Sequence, residues 1–210
     1  MAACTTFTPD DSPRLDGGPG EGGASADGAL AQDDARPPGP DSAVDAGDGG
    51  PDGGGKPIVF VTSLGYAVTT AAQADTICAS EAKSRLPGSF RAWFPEGALA
   101  APQRVFGPTT KGHGPWIRPD GVVVAATDEA FVNAAAVPLL APISVTATME
   151  TRNLSTWTGT RQDGGLGIVC PQTIPTKGLS SKLDGAWTDE PGNFTATCDS
   201  SLALYCFQVP

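Results

Sequence analysis

Four of the five cysteines in this chain, Cys78, Cys170, Cys198 and Cys206, are spread over its last two thirds around a Trp157-Thr158-Gly159 motif. An even set of cysteines within one compact segment reads as a disulfide framework, and a disulfide framework implies an oxidising compartment. Four cysteines admit three pairings, and spacing does not choose among them. Cys4 is the odd one out, which suits a thiol reserved for something other than a disulfide.

The framework belongs to only part of the chain. Residues 1–55 carry 2 basic and 11 acidic side chains, a net charge of −9, and residues 56–210 carry 11 basic and 12 acidic ones, a net charge of −1. Large apolar residues are isolated in the first segment (Phe7, Leu15, Leu30, Val44), and the rest is mainly Asp, Gly, Pro, Ala and Ser. Such a segment cannot bury enough surface to offset its chain entropy, so 1–55 is expected to be a disordered acidic tether. Residues 56–210 are long enough for one domain with a real core, supplied by Ile58, Phe60, Trp93, Phe94, Trp116, Val122 to Val124, Trp157, Trp187 and Leu202 to Phe207. No run of 18 apolar residues occurs, so no transmembrane segment is expected. A domain so near neutrality, behind an acidic tail, also argues against nucleic-acid binding.

Local signals predict a mixed α+β domain. Lys56 to Thr62 reads as a first strand, apolar and β-branched. Thr70-Ala-Ala-Gln73 has the form of a capping box, and a helix follows through Gln73 to Arg85, with Ala74, Cys78, Ala82 and Arg85-Leu86 near one face at i, i+4 spacing. Leu86-Pro87-Gly88 is expected to stop it, because proline cannot continue the hydrogen-bond ladder. Phe90 to Phe94 reads as a short strand. Pro119-Asp120-Gly121 between Trp116-Ile117-Arg118 and Val122-Val123-Val124 is a hairpin signal. Asp128 to Leu140 is compatible with a short helix before Pro138. Ser144 to Thr148, Ser155 to Thr158 and Leu202 to Val209 read as strands, and the Gly-, Pro- and Ser-rich stretch Pro171 to Asn193 reads as loop.

Several of these segments, in order, resemble a known family. Ala74-Asp75-Thr-Ile-Cys78, running into Leu86-Pro87-Gly88-Ser89-Phe90-Arg91-Ala92-Trp93, is similar to the early helix and strand of endostatin. Thr156-Trp157-Thr158-Gly159-Thr160 resembles the Trp-x-Gly strand of endostatin and of C-type lectin-like domains generally. Thr197-Cys198-Asp199 and Leu202-Ala-Leu-Tyr205-Cys206-Phe207 resemble the closing strands. Bacterial lipoprotein domains of unknown function carry the same signature behind a similar acidic tether. The likeness spans about residues 57–209. It implies an endostatin-like, C-type lectin-like fold with two bridges. Cys78 would pair with Cys206, tying the helix to the last strand, and Cys170 with Cys198, closing the long-loop region.

The N-terminal Met1-Ala2-Ala3-Cys4 resembles the processed end of a bacterial lipoprotein, where the Cys after two small residues receives the lipid. The charged n-region and apolar h-region of a signal are missing. On the resemblance, Cys4 is the lipidation site and the chain attaches peripherally to a membrane. On composition alone, Cys4 is a free thiol on a flexible end.

The departures from the family bear on function. Endostatin's zinc site uses several histidines, whereas this chain has only His113, so no metal site is expected. Its arginine-rich heparin surface has no counterpart in a domain of net charge −1. The carboxylate loop of calcium-dependent lectins is matched at best by Glu190-Pro191-Gly192. No H-E-x-x-H, Gly-x-Ser-x-Gly, P-loop or Cys-x-x-Cys motif is present, so no catalytic set and no cofactor are expected. His113, within Lys111-Gly112-His113-Gly114-Pro115, reads as a surface loop residue. Large rings are core by default, and Trp157 is expected there; Trp187, in the Gly-rich segment, is the better surface candidate of the two. Trp187, Asp189, Glu190 and Asn193 are therefore the candidate ligand contacts, on a loop region held by a rigid scaffold.

These readings lead to a non-catalytic recognition or adhesion domain, extracytoplasmic, displayed on the cell envelope or secreted, whose partner is a protein or a glycan. The alternatives are a structural envelope protein that binds peptidoglycan or a neighbouring protein, and a hydrolase of unrecognised type.

Overall fold

A computed structural model describes residues 55–107, 113–170, 175–191 and 196–209. The tether and its Cys4, and Asn193 of the candidate contacts, lie outside the described residues. The elements are β1 (Val59–Val61), α1 (Ala71–Ala82), β2 (Ser89–Ala92), α2 (Ala101–Phe106), β3 (Trp116–Ile117), β4 (Val123–Ala125), α3 (Glu129–Val132), β5 (Ser155–Trp157), β6 (Lys177–Leu179) and β7 (Ala203–Val209), with a 3-10 turn at Gly185–Trp187. The domain is thus α+β and carries two disulfides, Cys78–Cys206 and Cys170–Cys198.

β7 organises the larger sheet. β1 pairs antiparallel with it, Phe60 opposite Cys206. β2 also pairs antiparallel, Arg91 opposite Phe207, and β5 pairs parallel, Trp157 opposite Leu204. β6 then adds to β5. Successive residues of a strand point to opposite faces, and β7 feeds two cores accordingly. Ala203, Tyr205 and Phe207 enter one, with Val59, Val61, Trp93, Trp116, Phe131 and Trp187. Leu204 and Cys206 enter the other, with Phe60, Phe90, Trp157 and the inward face of α1.

Helix α1 begins where the capping signal placed it. The Thr70 side chain accepts a hydrogen bond from Gln73 N, while the Gln73 side chain reaches back to Thr69 N at 3.1 Å. Its buried residues, Ala71, Ala74, Cys78, Glu81 and Ala82, form one stripe. The helix ends at Ala82, earlier than Pro87 requires. Ser84 takes a left-handed conformation (φ 64°), and the N–H groups of Arg85 and Leu86 both bond back to Ala82 O. Buried Glu81 accepts from Ser63 Oγ (2.7 Å) and Tyr66 Oη (2.8 Å), which ties the β1–α1 connection to the helix.

The hairpin forms as expected. β3 and β4 pair around Asp120-Gly121, with Gly121 at φ 83° and Arg118 bound to Asp120 at 2.8 Å. Two expectations are corrected and one element is new. Ser144 to Thr148 makes a single bridge, Val145 to Thr151, because the chain turns back through Met149 at φ 65°. Pro171 to Asn193 is more than loop, since it holds β6 and the 3-10 turn. Helix α2 lacks a side-chain acceptor at its N-cap, Ala100, but starts with Pro102 in its first turn and with Gln103 reaching back to accept from Ala100 N at 3.2 Å. Arg104 anchors this helix. It is buried and bonds to the carbonyls of Ala92 (2.9 Å) and Phe94 (3.3 Å), to Glu96 (3.2 Å) and to Asp75. Asp75 Oδ1 in turn accepts from Ala92 N at 2.9 Å. These charged groups occupy backbone positions on β2 that would otherwise invite another strand.

Candidate functional site

The segment between β5 and β7 is the long-loop region, and its shape is set by a file of threonines. Thr158, Thr160 and Thr188 are fully buried. The Thr158 hydroxyl donates to Thr188 O, that of Thr160 to Thr158 O at 2.9 Å, and that of Thr188 to Thr160 O at 3.3 Å. Hydroxyls placed this way satisfy carbonyls that would otherwise be buried unpaired. They stitch the exit of the 3-10 turn to the chain that follows β5.

Beyond Thr160 the chain makes an arm. Thr160 bridges Leu166, Arg161 N donates to Gly165 O at 2.9 Å, and Gly164 turns at φ 74°. Asp163 accepts from Gly165 N at 3.0 Å and pairs with Arg161 at 3.1 Å, both side chains well exposed. Leu166 and Ile168 are also exposed, Ile168 at 47%. Ile168 borders an apolar depression lined with Phe94, Pro95, Trp157, Gly159 and Val169. The Cys170–Cys198 bridge ties the end of the arm to the approach of β7.

The described candidate contacts, Trp187, Asp189 and Glu190, do not share one open face. Trp187 is the clearest correction: it is 1% exposed and stacks among Trp93, Phe131 and Tyr205, with ring centroids 5.5–5.8 Å apart. A ring of this size stabilises far more by burial than by display, and the 3-10 turn points it inward. Glu190 is mostly buried and pairs with buried Lys177 at 3.7 Å, and its N–H donates to Lys177 O. Asp189 lies at the surface boundary. Burial raises its carboxyl above the usual range, Arg161 opposes the shift and Asp163 adds to it. Those three charges therefore lie close enough to influence one another, and Gln162 holds the backbone there by donating to Asp189 O at 3.0 Å.

A second polar cluster stands at the start of β3. The His113 imidazole, 48% exposed, contacts Asp128 through Nδ1 at 2.9 Å, while the Asp128 side chain is 2% exposed. The His113 backbone N–H donates to the same carboxylate oxygen at 3.2 Å, and Trp116 Nε1 donates to the other at 2.6 Å. Asp128 precedes α3 but does not cap it, because its carboxylate is turned toward these donors. Two N–H donors, from the His113 backbone and the Trp116 indole, thus point at the Asp128 carboxyl beside the imidazole. Sequence reading gave His113 no partner. Asp128 lies fifteen residues away, and no local pattern announces the pairing.

Among the described residues, no group of three or more His, Cys, Asp or Glu side chains is placed to hold a metal ion. Nor is any helix among them long and apolar enough to cross a membrane. No protein-family model matches the chain, and no curated protein matches it either.

Proposed function

We propose that residues 57–209 form a recognition domain of the endostatin-like, C-type lectin-like type, displayed outside the cytoplasm on the acidic segment 1–55 and anchored through a lipid on Cys4. In this reading the domain binds a protein or glycan partner and does not turn it over. The observation that carries the proposal is the construction of the segment between β5 and β7. It is closed by the Cys170–Cys198 bridge, stitched down by buried threonines, and leaves Arg161, Asp163, Leu166 and Ile168 exposed on one arm. Loops fixed in this way on a sheet are where binding residues concentrate. The two bridges, Cys78–Cys206 and Cys170–Cys198, are the pairings that the sequence resemblance implies, and they support this reading.

The test is a binding screen of the oxidised full chain against a glycan array and a cell-surface extract, with and without calcium, alongside Ile168→Asp. Capture of one stoichiometric partner that Ile168→Asp weakens at least tenfold, at unchanged melting temperature, supports a recognition surface on the arm. Calcium-dependent glycan binding would make the domain a lectin. An absence of binding in every condition overturns the recognition reading and favours a structural role in the envelope.

One observation favours a second reading, that of a hydrolase. His113 is half-exposed and held by a buried carboxylate, an arrangement that orients an imidazole as a base. Turnover of a panel of chromogenic esters and glycosides, abolished by His113→Gln, would support it. Equal rates with and without His113 would dismiss it.

A further inference from the structure

We draw no further inference here: the strongest candidate, the apolar depression between Phe94, Pro95, Trp157 and the Gly159–Ile168 arm, is an unpartnered face, and nothing in the structure shows what covers it.

Discussion

On one side of β7, Tyr205 and Phe207 meet five more rings, Trp93, Phe106, Trp116, Phe131 and Trp187, brought in from five separate segments of the chain. On the other side, Leu204 and Cys206 meet a helix whose inward residues are mostly alanines, and a disulfide joins the two. The first side gains its stability from area, since each large ring removes much apolar surface from water. Alanines offer little area, but they let the helix approach the sheet closely, and there a covalent link supplies what side-chain bulk does not. The same strand is thus secured by packing alone on one face, and on the other by the rings of Phe60, Phe90, Phe94 and Trp157 together with a crosslink.

The largest effect is expected on the crosslinked side. A bridge spanning 128 residues stabilises by about 5 kcal/mol on a chain-entropy estimate. The Cys78→Ala/Cys206→Ala variant should lose about that much in a denaturant titration. A loss under about 1 kcal/mol would mean that the alanine face holds the helix by packing alone. On the aromatic side, Trp187→Ala should cost about 4 kcal/mol, typical of a buried large ring truncated to a methyl. A melting temperature near that of the parent would return Trp187 to the surface. The Cys170–Cys198 bridge, with a separation of 28, should contribute less, about 3.5 kcal/mol. Its removal should loosen the arm while near-ultraviolet circular dichroism still reports an intact aromatic face.

The smallest effect is a pH dependence that samples both sides. The chain has two tyrosines. Tyr66, beside the helix, is pushed up to about 12 by burial, then by its hydrogen bond to Glu81 and by the Glu81 charge. Tyr205, among the rings, is raised mainly by burial and donates to Trp187 O at 3.0 Å. A phenol raised in the folded state contributes stability that is complete below its ordinary value of 10.0 and is lost as pH climbs through the folded value. Stability should therefore fall between about pH 10 and pH 12, and absorbance at 295 nm should show little phenolate at pH 10 in the folded protein. Tyr66→Phe should remove part of that fall. An unaltered pH profile in this variant would count against the Glu81 contact.

The two sides also differed in how far the sequence announced them. The start and buried stripe of α1, the Asp120-Gly121 hairpin and the run of β7 are local patterns, and they were legible because cap, turn and alternation each act over a few residues. The aromatic side is assembled from distant pieces, so its membership depends on tertiary contacts that no window contains. Trp187 shows the difficulty. Its Gly- and Ser-rich surroundings suggest an exposed loop, yet Gly178 is there because β6 presses against the 3-10 turn. A Cβ at Gly178 would sit 1.7 Å from Trp187 O. A glycine inside a short strand can signal close backbone approach, and this one did. The proposed site was partly legible. Sequence drew attention to a loop region from roughly Leu166 to Phe194, whereas the exposed arm at 161–168 lies mostly ahead of it, and Trp187 and Glu190 within it are buried or nearly so. The His113–Asp128 contact bridges two segments that neither charge pattern nor spacing links.

The order of the strands has a bearing on biosynthesis. β1, β2 and β5 all take their pairing from β7, the last of the described elements to leave the ribosome. Until residues 203–209 have been made, the larger sheet lacks its spine and the Cys78 thiol has no Cys206 to join. Assembly must therefore follow synthesis of nearly the whole domain, and an interrupted chain keeps its apolar strands unpaired and open to chaperones and proteases.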